Sequence, residues 1–257
     1  MRIFGLIMLC LLSFAATVVW KFPVAGVLPH INTGPVQLSG VTGTLWKGQA
    51  AQIIPQQQPE LTLTDVQWKV LPQKLLSGAA GVNLVFKVSN GNGEADVAGA
   101  LNGDITITDA TLRIPAAELQ QFLPLPIAEF DGIVMADIER VEVQNNLLKS
   151  TRGTVVWRNA EVQGALQAEL GQVVVDIIPE KVEGSYSHRG KLSNSDGQID
   201  INGEFQLDPT GNYIADIRLK PLPATPPELN GVLGMVGQRA SDGSYRIRNN
   251  GNIQNFM

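Results

Sequence analysis

Apolar and polar residues alternate with a period of two along most of the chain. Ile105 and Ile107 are interleaved with Thr106 and Thr108. Ile199, Ile201, Phe205 and Leu207 are interleaved with Asp200, Asn202, Glu204 and Gln206, and Tyr213, Ala215, Ile217 and Leu219 with Ile214, Asp216, Arg218 and Lys220. Successive strand residues point to opposite faces, so this pattern makes one apolar and one wet face, as in an antiparallel sheet. Turn dipeptides punctuate it: Asp-Gly at 131–132, 196–197 and 242–243, and Asn-Gly at 90–91, 92–93, 102–103 and 250–251. Both favour tight hairpin turns. Asn202-Gly203 sits inside an alternating run and predicts a bulge or kink instead. Helical signals are sparse. A helix is expected from Pro115 through Leu123, with Glu118 in its first turn and Pro124 as its stop. A second is expected over residues 226–236, weakened by Gly231 and Gly234, and a short turn over residues 73–76 after Pro72. The predicted fold is mainly β: a curved, largely antiparallel sheet or open groove with two or three short helices.

Residues 3–20, IFGLIMLCLLSFAATVVW, carry no charge. At about 1.5 Å of rise per residue, such a run reaches the short end of what crosses a bilayer as a helix. Met1 and Arg2 precede it, and Trp20 and Lys21 close it as interfacial anchors do. Two readings stand: an uncleaved signal anchor with a cytoplasmic N-terminus, or a signal peptide cut after Ala15 in Ser13-Phe14-Ala15. The apolar run continues through Val18 and Val19 to Trp20, which favours the anchor. Cys10 follows Met8 and Leu9 and so lacks the small residues of a lipoprotein cleavage motif. In either case the body is exported, in a Gram-negative cell to the periplasm. The expected organisation is a cytoplasmic tip at 1–2, a transmembrane anchor at 3–20, a Pro- and Gly-rich connector at 21–35, and a periplasmic β domain at 36–257.

The composition removes several functions. Of 257 residues, 44% are hydrophobic and 17% charged, which supports a packed core. The net charge is −5 and no Lys/Arg cluster exists, so nucleic acid is not an expected partner. Cys10 is the one cysteine, so the exported part has no disulfide, thiol nucleophile or zinc–cysteine site. His30 lies in the connector, and His188, in GSYSHRG, reads as an exposed or satisfied loop histidine. Neither has a partner at metal-ligand spacing. Glu139/Glu142 and Glu180/Glu183 read as solvated strand faces, and the run from Asn194 to Asp200 as a hairpin turn more than a calcium loop. No residue set supports catalysis, a cofactor or a metal, so the expected protein is not an enzyme.

Each tryptophan is followed by a base: Trp20-Lys21, Trp46-Lys47, Trp68-Lys69 and Trp157-Arg158. In a strand this turns the indole to the core and the base to water. Gly43-Thr-Leu-Trp46-Lys47 is echoed by Gly153-Thr-Val-Val-Trp157-Arg158, which leaves two similar halves open as an organisation. In GVTGTLWKG, residues 40–48, the spacing of Gly40, Gly43 and Gly48 is not that of a phosphate loop, and no Ser or Thr follows Lys47. It reads as architecture: Gly43 in a turn entering a strand, Trp46 facing the core, and Gly48 leaving room beside an indole.

SGVTGTLWKGQA at 39–50, VQWKVLPQKLLSG at 66–78, GTVVWRNA at 153–160 and DGSYRIRNNGNI at 242–253, behind a single anchor, together resemble the type II secretion system protein N family. The resemblance covers essentially the whole chain. Its motif positions here are Gly40, Gly43, Trp46, Gly48, Trp68, Pro72, Leu75, Leu76, Gly78 and Trp157. It implies a single-pass inner-membrane protein with a periplasmic domain. Such a protein would be accessory to the machine that moves folded proteins out of the periplasm, with other inner-membrane secretion subunits as partners. It implies no catalytic, cofactor or metal-binding residue. The 66–78 segment also looks like segments of AsmA-like proteins, elongated β-grooves thought to shield lipid. That implies the alternative, a periplasmic lipid-binding or lipid-shielding groove.

Overall fold

A computed structural model describes residues 21–26, 36–56, 59–76, 78–122, 128–144, 147–164, 167–182, 185–223 and 225–252. The expected anchor at 3–20 and connector residues 27–35 lie outside the described residues. Among the described residues, no helix is long and apolar enough to cross a membrane. The described chain is mainly antiparallel β and forms two compact units, Met1–Ser89 and Asn90–Met257.

The first unit contains β1 (Val36–Ser39), β2 (Thr42–Gly43), β3 (Lys47–Pro55), β4 (Leu63–Val70) and β5 (Ala79–Val88). Their order is β1-β3-β4-β5, with β2 added against β3. Ala50 of β3 lies opposite Val66 of β4, and both are buried. One short helix, α1 (Pro72–Leu76), follows β4 where the sequence places a turn. Pro72 opens it, where the missing N–H costs nothing.

The second unit runs β6 (Gly91–Ala100), β7 (Ile105–Pro115), β8 (Ala128–Gln144), β9 (Leu147–Gly164), β10 (Ala168–Val182), β11 (Ser185–Ser195), β12 (Ile199–Leu207), β13 (Asn212–Pro221), β14 (Gln238–Arg239) and β15 (Tyr245–Asn252). Neighbours in sequence are neighbours in the sheet, except that β15 inserts between β13 and the two-residue β14. The expected second helix is present as α2 (Pro227–Val236). Leu229 and Leu233, one turn apart, are its buried residues. They pack with Ala168, Ile199, Ile201 and Tyr245 into a core flanked by Leu170, Leu192, Ile217 and Leu219. Thr225 ties the entry to α2 onto the sheet: its hydroxyl donates to the Gln198 carbonyl and accepts the Leu222 N–H at 2.7 Å.

Several local expectations change. The helix expected from Pro115 begins one residue later and is a 3-10 helix, Ala116–Phe122, because Pro115 is still paired with Ile133 as the last residue of β7. Proline is tolerated at a strand's end. Of the turn dipeptides, 102–103, 196–197 and 242–243 lie in turns, and Asn90 lies in the turn that precedes Gly91. Asp131-Gly132 lies inside β8, at a register shift against β9. Asn92-Gly93 and Asn250-Gly251 also lie inside strands. Conversely, Asn202-Gly203, expected as a bulge, pairs in unbroken register with both neighbouring strands. A turn dipeptide reverses the chain only where the flanking residues pair in that register, and pairing is a long-range property.

Candidate functional site

Some of the motif residues of the first unit gather around one indole. Thr44 N–H donates to the Lys47 carbonyl at 2.9 Å, and Lys47 N–H to Thr44 Oγ1 at 3.2 Å. Leu45 and Trp46 are therefore the two residues at the tip of the β2–β3 hairpin. This corrects the expectation of Trp46 in a strand: it sits in the loop, half-buried, with its carbonyl accepting the Val70 N–H at 2.8 Å. The hairpin closes because Gly43 adopts φ +99° and lies opposite Gly48, where a Cβ would fall 2.6 Å from the Gly48 Cα. The indole beside Gly48 is that of Trp68, its cross-strand partner, and a Cβ on Gly48 would lie 2.2 Å from Trp68 Cζ2. Trp68 Nε1 donates to the Leu45 carbonyl at 3.3 Å, which joins the indole to the loop tip. Gly40 approaches Ala51 in the same unit. Pro72 opens α1, and Gly78, at φ +78°, closes it by donating its N–H to the Leu75 carbonyl at 3.1 Å. Leu75 and Leu76 are exposed, Leu76 at 92%. This motif holds an outward-facing pair of leucines and contains no reactive constellation.

Trp157 belongs to the second unit and is not brought to this cluster. It lies in the middle of β9, paired with Val134 and Val173. Its Nε1 donates to the Asp131 carbonyl at 2.8 Å, and Phe130 meets it edge-on at 5.8 Å. The echo between the two Trp-base stretches is not repeated in local structure: one crosses a hairpin tip, the other lies inside a long strand. In both β4 and β9 the indole is half-buried and the following base exposed, as alternation predicts.

An apolar face also runs across β11–β13. His188, Gly190 and Leu192 of β11 share a face with Leu207, Phe205, Gly203 and Ile201 of β12 and with Tyr213, Ala215, Ile217 and Leu219 of β13. α2 covers only one end of it, over Ile199, Ile201 and Tyr245. At the other end two rings splay apart. Phe205 leans over Gly190, where a Cβ would meet the ring at 2.0 Å, and Tyr213 leans over Gly251, where it would meet the ring at 3.0 Å. Between them opens a slot of about 310 Å³ lined by Leu192, Phe205, Leu207, Tyr213, Ala215 and Ile217, with Glu204 at its margin. Its signal in the sequence is glycine opposite an aromatic, at Gly190/Phe205 and Gly251/Tyr213, visible only once the register is known.

His188 borders this face as the cross-strand neighbour of Leu207. It is 1% exposed within β11, which corrects its reading as a loop histidine. Neither ring nitrogen has a partner in hydrogen-bond geometry among the described residues. Burial pulls its pKa below the ordinary value, and the Leu207 backbone offsets this in part. Burial therefore favours the neutral imidazole. On the opposite face, Arg246 and Arg248 converge on Asp216. Arg246 donates through Nε at 2.7 Å and again through its terminal nitrogen, and Arg248 through Nε at 3.1 Å. The Arg246 hydrogen bonds, with help from Arg248, hold Asp216 down at about 2. Asn194, in the faintly calcium-like run, spends its side chain on the backbone of Leu170, Ile199 and Ile201 at 2.7–2.8 Å. Among the described residues, no three His, Cys, Asp or Glu side chains come together as a metal site.

The geometry is thus that of a mainly β protein, defined by sheet faces and edges. The family model described as type II secretion system (T2SS), protein N, matches residues 34–248, and the chain belongs to that family. It is 27% identical over 255 residues to the type II secretion system protein N of Aeromonas hydrophila, covering 95% of this chain and 96% of the relative. It is 26% identical over 223 residues to the protein of the same name from Vibrio cholerae serotype O1, covering 85% of each. No solved structure matches the chain.

Proposed function

We propose that the chain is a non-catalytic accessory component of the type II secretion system. On this reading residues 3–20 anchor it in the inner membrane and the β domain stands in the periplasm. It supports export of folded proteins across the outer membrane through contacts with other inner-membrane subunits. The observation that carries this reading is the family match over residues 34–248. The uncharged run at 3–20 and the exposed leucines of α1 support the anchor and the contacts. The test is deletion of the gene in a secreting cell. Secreted proteins should accumulate in the periplasm, and crosslinking of the full chain should recover inner-membrane secretion subunits. Intact secretion with no subunit recovered contradicts the reading.

One observation favours a second reading, a lipid-holding groove. The slot between Phe205 and Tyr213 is apolar, and its volume of about 310 Å³ falls at the low end of ligand pockets, roughly 300–1,000 Å³. Native mass spectrometry of the full chain, with extraction of what co-purifies, tests it. A chain free of lipid at every stage of release from detergent counts against it.

A further inference from the structure

The two long sides of β15 are treated differently. One side pairs with β13 from Asn212↔Asn252 to Leu219↔Tyr245. Among the described residues, the other meets β14 alone, through Gln238↔Arg246 and Arg239↔Tyr245. The Ala240 N–H donates to the Ser244 carbonyl at 2.8 Å in the connecting turn, so Arg246 is the next residue directed to β14. Alternation then directs the N–H and C=O of Arg248 and Asn250 the same way, past the end of β14, while Ile247, Asn249 and Gly251 face β13. Among the described residues, no strand pairs with Arg248 or Asn250 on that side. Such an edge is a template for another strand, and proteins usually block it with Pro, Lys or a bulge. β15 reads YRIRNNGN, with no Pro or Lys, and its register against β13 is unbroken.

Three further features lie along the same edge. A groove of about 700 Å³ runs beside it, lined by the end of α2, by Gln238 and by Arg246, Ile247 and Arg248. Met235 and Val236, in its wall, are 86% and 52% exposed. Arg246 and Arg248 share the single carboxylate of Asp216, so the wet side of the edge is locally cationic in a chain of net charge −5.

We propose that the open edge of β15 is a strand-addition site. It takes an extended segment of another secretion subunit in which apolar residues, packed against Met235 and Val236, alternate with acidic residues facing Arg246 and Arg248. The edge supplies the main-chain N–H and C=O groups of Arg248 and Asn250, and the groove supplies selectivity for the side chains. This inference rests on the first functional reading above and names the surface through which it operates. A lipid has no row of amides to offer this edge, so the site is distinct from the Phe205–Tyr213 slot.

The test is site-specific photo-crosslinking of the full chain in the secreting cell, with p-benzoyl-phenylalanine in place of Met235 or, as a control, in place of Leu101. Leu101 is fully exposed in the turn after β6. The expected result is an adduct from position 235 whose partner peptide maps to an alternating apolar–acidic stretch of a secretion subunit. Two second substitutions should each cut its yield at least fivefold. Asn250→Pro removes the outward N–H and leaves the ladder to β13, and Arg248→Glu reverses the charge without touching the backbone. Thermal unfolding of each variant checks folding, and if Asn250→Pro is unfolded, Arg248→Glu decides. An adduct with a second copy of this chain, or a yield unmoved by the decisive variant, overturns the proposal. Subunit adducts from Leu101 alone overturn the edge but leave the functional reading standing. No subunit adduct from either position overturns both.

Discussion

The apolar face of β12 and β13 is continuous, yet its two ends have different surroundings. Ile199, Ile201, Leu219 and Tyr245 pack beneath or beside Leu229 and Leu233 of α2. Phe205, Leu207, Tyr213 and Ala215, on the same strands and in the same alternation, line an open slot. Length accounts for the difference. A ten-residue helix is roughly 15 Å long, whereas a strand of nine or ten residues runs to roughly 30 Å, so α2 can cover about half of the face. Alternation specifies which face is apolar. What covers that face depends on the element that happens to return over it. Here the covered half is packed core and the open half is accessible apolar surface.

The sharpest way to break this contrast is to truncate one leucine in each half. Leu229→Ala, in the covered half, should cost about 3 kcal/mol, because a fully buried leucine leaves a cavity that the sheet cannot fill. Leu207→Ala, in the open half, should cost about 1 kcal/mol or less, because its side chain is already partly in water. Denaturant unfolding of the full chain in detergent measures both. Equal costs would mean that the open half is covered after all.

A smaller effect probes the boundary row that carries His188. Its folded pKa lies below its unfolded value of about 6.5, so above that pH neither state gains a proton. As pH falls below it, the unfolded state takes up a proton that the buried ring refuses, and stability declines. Urea midpoints at pH 7.5 and 5.5 should therefore differ in the wild type, and less so in His188→Leu. An unchanged difference in the variant would place the titration elsewhere. The smallest effect lies on the wet face. Asp216 is lowered from 3.8 to about 2, so its contribution is present above about pH 4 and is lost as pH falls toward 2. Asp216→Asn should remove only a slight part of the acid sensitivity, since the pair is solvent-exposed. Acid titration of the unfolding midpoint measures it.

Much of this arrangement is legible in the sequence because it is local. The period of two gives the β class and the faces of Trp68/Lys69, Trp157/Arg158 and β12–β13. Pro72 and the run 226–236 mark the two short helices. What is not legible depends on pairing. Asp131-Gly132, expected as a turn, lies at a register shift, and Asn202-Gly203, expected as a bulge, pairs regularly, because register decides which dipeptide bends the ladder. Trp46 moves to a hairpin tip because Gly43 and Gly48 close against each other just outside the Thr44–Lys47 pair that brackets the loop. His188 reads as a loop residue from its Gly-rich flanks, and only its place between β10 and β12 buries it. The motif leucines of α1 could be recognised as a pattern but not as exposed, since a five-residue helix has no face of its own to assign.

The most direct test of the two-halves account uses two equal substitutions, Ala168→Cys in the covered core and Ala215→Cys in the slot, each in a full chain carrying Cys10→Ser. Ala168 is buried and Ala215 half-buried, and both changes add one small sulfhydryl. Labelling with a membrane-permeant maleimide should be rapid at position 215 and at least tenfold slower at position 168 in the purified chain. Equal labelling of the two positions in the purified chain would contradict the account.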